Sequence, residues 1–121
     1  MGSRSYRDLL VWQKSIALCT EVYKLCESFP KNELYGLADQ MKRVAVSVSS
    51  NIAEGQGRQH TKGFLNFFSM SNGSLAELDT QRIIAENLHF LSQESSAHLD
   101  ERITELRKML YALAARLKAS N

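Results

Sequence analysis

A chain of 121 residues with 44% hydrophobic content fits one domain, residues 1–121, with a packed core. Its formal charge of +2 is too small to advertise a nucleic-acid partner, so any such case rests on where the charges sit. A single proline, Pro30, and six glycines favour long helices over a turn-rich β fold. No apolar run approaches the ~20 residues needed to span a bilayer, and the N-terminal MGSRSYRDLL lacks the apolar core of a signal peptide, so a cytoplasmic protein without membrane contact is expected.

Helix one is predicted over about residues 7–28, with the seam Leu9, Trp12, Ile16, Cys19, Tyr23 and Cys26 stepping by three and four. Phe29-Pro30 stops it, because proline biases the preceding residue away from helical angles. Cys19 and Cys26 lie about 10 Å apart along such a helix, too far to bridge, and read as buried thiols. Helix two, about 33–54, carries Leu34, Leu37, Met41, Val44 and Val48, with Asn51 at the next step and small Ala38 and Ala45 alongside; Gly55-Gln56-Gly57 is expected to end it.

Helix three, about 61–88, opens on Thr61 as a cap and continues through Phe64, Phe67, Ser71, Ser74, Leu78, Gln81, Ala85 and Leu88. Gly63 and Gly73 are expected to bend it or to admit a close neighbour. Helix four, about 95–119, has the cleanest seam: Leu99, Ile103, Leu106, Leu110, Leu113 and Leu117. Short connections between long helices make sequential neighbours antiparallel, so the expected fold is all-α, an up-down-up-down antiparallel four-helix bundle.

That topology sorts the charges. One end of the bundle collects Arg4, Arg7, Arg58, His60, Lys62, Arg116 and Lys118, opposed by Asp8 and Glu54. The other end collects Glu27, Glu33, Glu86, Glu94, Asp100 and Glu101, with Lys31 the main exception. Acids early and bases late in helix four complement the helix dipole, but that leaves Arg58 and Lys62 unexplained, because they flank a helix start, where cations are disfavoured. The basic end reads as a nucleic-acid-binding surface, which Lys42 and Arg43 extend along the side of the bundle.

Arg43, Ser47, Ser50 and Glu54 share a face of helix two, with Asn51 at its edge, and helix three can answer with Ser71, Ser74, Glu77 and Gln81. A structural polar network of Arg43, Asn51, Glu54, Ser74 and Glu77, mutually hydrogen-bonded inside the bundle, is expected to fix register. No His or Cys sits at helical spacing from these serines to activate a nucleophile, so no catalytic residue is assigned. Glu86-Asn87-Leu88-His89 has the spacing of di-iron bundles but lacks the second copy such sites require, and Gly55-x-Gly57 with Lys62 is no phosphate loop. No metal and no cofactor is expected.

The stretch FPKNELYGLADQMKRVAVSVSSNIAEGQGR, Phe29 to Arg58, taken with VWQKS at Val11–Ser15 and GSLAEL at Gly73–Leu78, resembles the four-helix-bundle proteins encoded in intervening sequences of bacterial 23S ribosomal RNA genes. The accessory protein of diversity-generating retroelements belongs to the same bundle family. The resemblance covers roughly Tyr6 to Leu91, and its signature falls on Arg43, Asn51, Glu54, Gly55, Arg58 and the Gly73–Leu78 run. Ser49 stands where family members often carry a proline. The resemblance implies the same fold and a homo-oligomer, a ring of five subunits around a channel.

Apolar residues outside the predicted seams, namely Leu65, Phe68, Leu75, Ile83 and Ile84 on helix three and Val11, Leu18, Val22 and Leu25 on helix one, read as its interface. The functional expectation is a non-enzymatic oligomer that binds structured RNA or a ribonucleoprotein through its basic end. The alternative is an oligomeric protein-binding scaffold with no direct nucleic-acid contact.

Overall fold

The computed structural model describes residues 5–33 and 36–119. Ser5 accepts a hydrogen bond from the Arg7 amide at 3.1 Å and starts a single 3₁₀ turn, Tyr6–Asp8. Four helices follow: α1 (Leu10–Cys26), α2 (Leu37–Gln56), α3 (Thr61–Asn87) and α4 (Gln93–Ala119). Helix one thus begins later than its apolar pattern suggests, because the 3₁₀ turn takes up the first polar residues. Helices adjacent in sequence pack on one another and α1 also packs on α4, which closes an up-down-up-down four-helix bundle. Leu34, predicted to head the helix two seam, lies outside the described residues.

The core stripe of α1 is Val11, Ser15, Leu18, Val22 and Cys26; of the predicted seam, Cys26 lies in it and Leu9, Trp12 and Cys19 pack against its edge. Ile16 and Tyr23 are 39% and 44% exposed, whereas Val11, Leu18 and Val22, expected at an interface, are buried. Both stripes step by three and four, but the true one includes a serine. Ser15 is accommodated because its hydroxyl lies 2.6 Å from the Trp12 carbonyl and 2.9 Å from the Ser49 hydroxyl, which satisfies its polar group inside the core. Trp12 is half-buried at the flank and meets Tyr6 edge-on at 5.2 Å.

On α3 the predicted seam holds at Phe64, Ser71, Leu78, Gln81 and Ala85, but Phe68 and Leu75 are core residues where Phe67 and Ser74 were expected and Leu88 is 51% exposed, while Ile83 and Ile84 do face outward. On α2 the step assigned to Asn51 is taken by fully buried Ile52, and Asn51 is half-buried beside it. The α4 seam matches expectation: Leu99, Ile103, Leu106 and Leu110 are buried, with Leu113 and Leu117 packed against the core.

The α2 and α3 helices make the most extensive contact in the bundle. Gly55 does not end α2; the helix runs through it to Gln56, and Gly57 is the capping residue. Gly55 is buried, and a Cβ at this position would lie 3.0 Å from Phe68 Cε1 and 3.1 Å from Phe67 Cβ. The missing side chain is what lets the two backbones approach. Ser71 donates to the Val48 carbonyl at 2.9 Å and the Ser47 and Ser74 hydroxyls lie 2.7 Å apart, so polar bridges fix the register of that contact. The α1–α4 seam has a different character, with the ion pairs Lys14–Glu105 at 3.2 Å and Glu21–Arg102 at 2.5 Å across it, joined by Glu21–His98 at 3.1 Å.

At the α3–α4 turn His89 adopts φ 63°, and the Phe90 amide bonds the Ala85 carbonyl at 2.8 Å, which closes the helix end. We predict that Gly55→Val destabilises the protein by about 1–3 kcal/mol through overpacking against Phe67 and Phe68, with a lower urea midpoint and unchanged helical content.

Candidate nucleic-acid interface

The connectivity brings three separate segments to one end. Tyr6, just before α1, borders a recess that it shares with Ala53, Glu54, Gly57 and Arg58, and Leu117, near the end of α4, borders another lined by Gly57, Arg58, Thr61 and Phe64. The loop between α2 and α3 is therefore the hub of this end. Around it Arg7, Arg58, His60, Lys62, Arg116 and Lys118 are all exposed. Arg4 lies outside the described residues. Among the described residues, Arg7, His60, Lys62, Arg116 and Lys118 have no ion-pair partner.

Arg58 is held differently. Its guanidinium donates to Glu54 Oε2 at 3.1 Å and lies 4.5 Å over the Phe67 ring. Its stem crosses α3 at Gly63, where a Cβ would come within 2.9 Å of Arg58 Cβ. Gly63 thus admits a close neighbour, and that neighbour is the arginine side chain. Gly73, by contrast, has nothing within 4 Å.

Lys42 and Arg43 are not brought to this end. They sit about 22 Å along α2 from its C-terminal loop, at ~1.5 Å per residue. Lys42 Nζ lies 5.3 Å over the Tyr23 ring and Arg43 Nε pairs with Asp39 Oδ2 at 3.1 Å.

The expected polar network is not one network. Ser74 joins α2 through Ser47, Asn51 Nδ2 donates to the Ser47 carbonyl of its own helix at 2.9 Å, Arg43 and Glu54 each form a surface pair one turn away, and Glu77 is exposed. Charged side chains are costly to take from water, so the interior positions went to serines, whose hydroxyls are satisfied over a short reach.

A buried polar cluster unforeseen in the sequence lies at the opposite end. The Arg82 side chain is 11% exposed and bonds Asp79 Oδ1 at 2.8 and 3.0 Å and the fully buried Ser96 hydroxyl at 2.8 Å. Ser96 in turn donates to Glu86 Oε1 at 2.5 Å, and Asp100 Oδ1 stands 3.6 Å from the guanidinium. This group ties α3 to the start of α4. The spacing of Asp79, Arg82 and Glu86, three and four apart, was the available signal.

Both thiols are shifted toward their protonated form. Burial pushes Cys26 up to about 11, with the Lys42 charge pulling weakly the other way, and burial also raises Cys19. Among the described residues no group of three His, Cys, Asp or Glu could hold a metal ion. No described helix is long and apolar enough to cross a membrane.

The pattern of one family runs through the pieces just described. Residues 7–112 match the 23S rRNA-intervening sequence protein family. The chain belongs to that family. The match includes the Arg58 loop, both helix-approach glycines of α2 and α3, and the Ser74 bridge. A crystal structure from Bacteroides thetaiotaomicron, of a protein with unknown function from the S23 ribosomal protein family, is similar in fold, with a TM-score of 0.82 over 88% of this chain and 96% of that one at 18% identity. No curated protein matches the sequence.

The two kinds of ion pair in this family member should separate in a denaturation experiment. Arg82→Met, which strands partly buried carboxylates, is expected to cost about 1–3 kcal/mol. Arg43→Met, at an exposed pair, is expected to stay within about 0.5 kcal/mol of the parent.

Proposed function

We propose that this 23S rRNA-intervening sequence family member is a non-enzymatic, homo-oligomeric bundle of the cytoplasm that presents its basic end to structured RNA or a ribonucleoprotein. The observation that carries the reading is the convergence of Arg7, Arg58, His60, Lys62, Arg116 and Lys118 from separate stretches of chain onto one exposed end. All but Arg58 lack a carboxylate partner among the described residues, and exposed cations are the means by which proteins release counterions from a phosphate backbone. The non-enzymatic reading is supported by neutral thiols and by serines committed to interhelical bonds.

Self-association is supported by α3. A glycine in an exposed helical face costs about 1 kcal/mol relative to alanine, and Gly73 has no contact within its own chain to offset that. Met70, one turn earlier, and Ile84, further along the same helix, are 48% and 43% exposed. A second copy covering this face would explain both. Family resemblance supports a ring of five, in which each basic end is repeated and modest contacts per subunit multiply.

Light scattering should return a multiple of 13.7 kDa, and Gly73→Leu should shift the protein to smaller species without loss of helicity. A monomeric parent at tens of micromolar concentration would overturn the ring. Lys62→Glu combined with Arg116→Glu should weaken binding to a structured RNA at least ~10-fold, about 1.4 kcal/mol, and flatten the dependence of affinity on salt. Unchanged affinity at two salt concentrations would favour the protein-scaffold alternative.

A further inference from the structure

Four residues, Gly57 to His60, join α2 to α3. They run beside the outer face of the first two turns of α3 and leave a groove between themselves and Leu65 and Asn66. Gly63, without a side chain, and half-buried Leu65 line it, and Arg58, His60 and Lys62 border it. Such a groove differs from the rest of the basic end, which offers exposed cations alone.

Arg58 gives the groove its character. The Arg58 side chain is 47% exposed although its guanidinium lies over the Phe67 ring, its stem is seated on Gly63, and Glu54 holds one nitrogen. A side chain fixed by three contacts loses little rotamer entropy when it binds a ligand. Its outer face is a flat, preoriented cationic plane beside an apolar floor. Continuous duplex RNA seals its base faces inside the stack and presents mainly phosphates and sugars, so it could use neither the plane nor the floor. An unpaired nucleotide offers a flat base to stack on an arginine plane and a phosphate to meet Lys62 or His60, and the Asn66 amide can pair with a base edge.

We infer that the groove between the Gly57–His60 loop and α3 holds one unpaired nucleotide, so that the basic end prefers single-stranded or bulged RNA to continuous duplex. The inference rests on the nucleic-acid reading proposed above and names the class of RNA. Arg58 stacks the base, Leu65 floors the groove, and Lys62 meets the phosphate.

The test uses the full chain with two fluorescent probes of equal length, a single-stranded oligouridylate and a blunt RNA duplex. Parent protein should bind the single strand more tightly at matched salt. Gly63→Ala places a methyl group where the Arg58 stem lies and lifts the guanidinium from Phe67, and because alanine favours helix the fold is kept. That variant, and independently Leu65→Gln, should weaken single-strand binding by about tenfold, within what one stacked base contributes. Duplex binding should change by less than about twofold in both variants. Equal affinity of the parent for both probes, or equal losses on both probes in the groove variants, would overturn the groove while salt-dependent binding kept the basic end as an RNA surface. Salt-independent binding or none to either probe would overturn both readings.

Discussion

The contact on which the molecule depends is the close approach of α2 and α3 at Gly55. A side chain there would collide with Phe67 and Phe68, so the absence of one sets the distance between the two helices. From that distance follow the reach of Ser71 to the Val48 carbonyl and of Ser47 to Ser74, both too short to span a wider gap. It also places the next residues of the chain. The loop beyond Gly57 leaves α2 so near to α3 that Arg58 can turn back across Gly63 onto Phe67. Packing and surface chemistry at the basic end are thus consequences of one glycine, and the family signature that spans it is physically coherent.

How much was legible depended on the helix. The α4 seam was readable because every core position from Leu99 onward is aliphatic. On α1 two stripes that share Cys26 both satisfy helical spacing, and the false one placed Ile16 and Tyr23 inward while the true one held Ser15. Hydrophobicity alone prefers the false stripe; the Ser15–Ser49 hydroxyl pair that makes the true one tolerable is a tertiary contact, invisible along the chain. The same blindness moved Phe68 and Leu75 from the core to an imagined interface. The basic end, by contrast, needed no side-chain detail, because connectivity alone carries the start of α1, the α2–α3 loop and the end of α4 to one place.

Polar residues on a shared helical face proved a poor guide to polar networks. Arg43, Asn51 and Glu54 share a side of α2, yet each finds a partner within its own helix or with solvent beside it. Interhelical polar contacts between α2 and α3 are made by serines, and those between α3 and α4 at the far end by a single arginine surrounded by Asp79, Glu86, Asp100 and Ser96. The far end therefore is not a plain acidic pole. Asp79, Glu86 and Asp100 converge there on a largely buried cation, while Glu27, Glu94 and Glu101 remain exposed.

The seam between α1 and α4 is built from other materials than the rest. Lys14–Glu105 and the Glu21 pairs with His98 and Arg102 cross it, and its packing is the sparsest of the four lateral contacts. Ionic contacts near solvent weaken with salt, whereas the glycine-tightened α2–α3 contact does not. Local opening is therefore expected first along the seam that joins the two ends of the chain, with the α2–α3 hairpin, local in sequence, persisting longest. A bundle of this kind can loosen its first and last helices together while its loop of glycine, arginine and lysine stays in place.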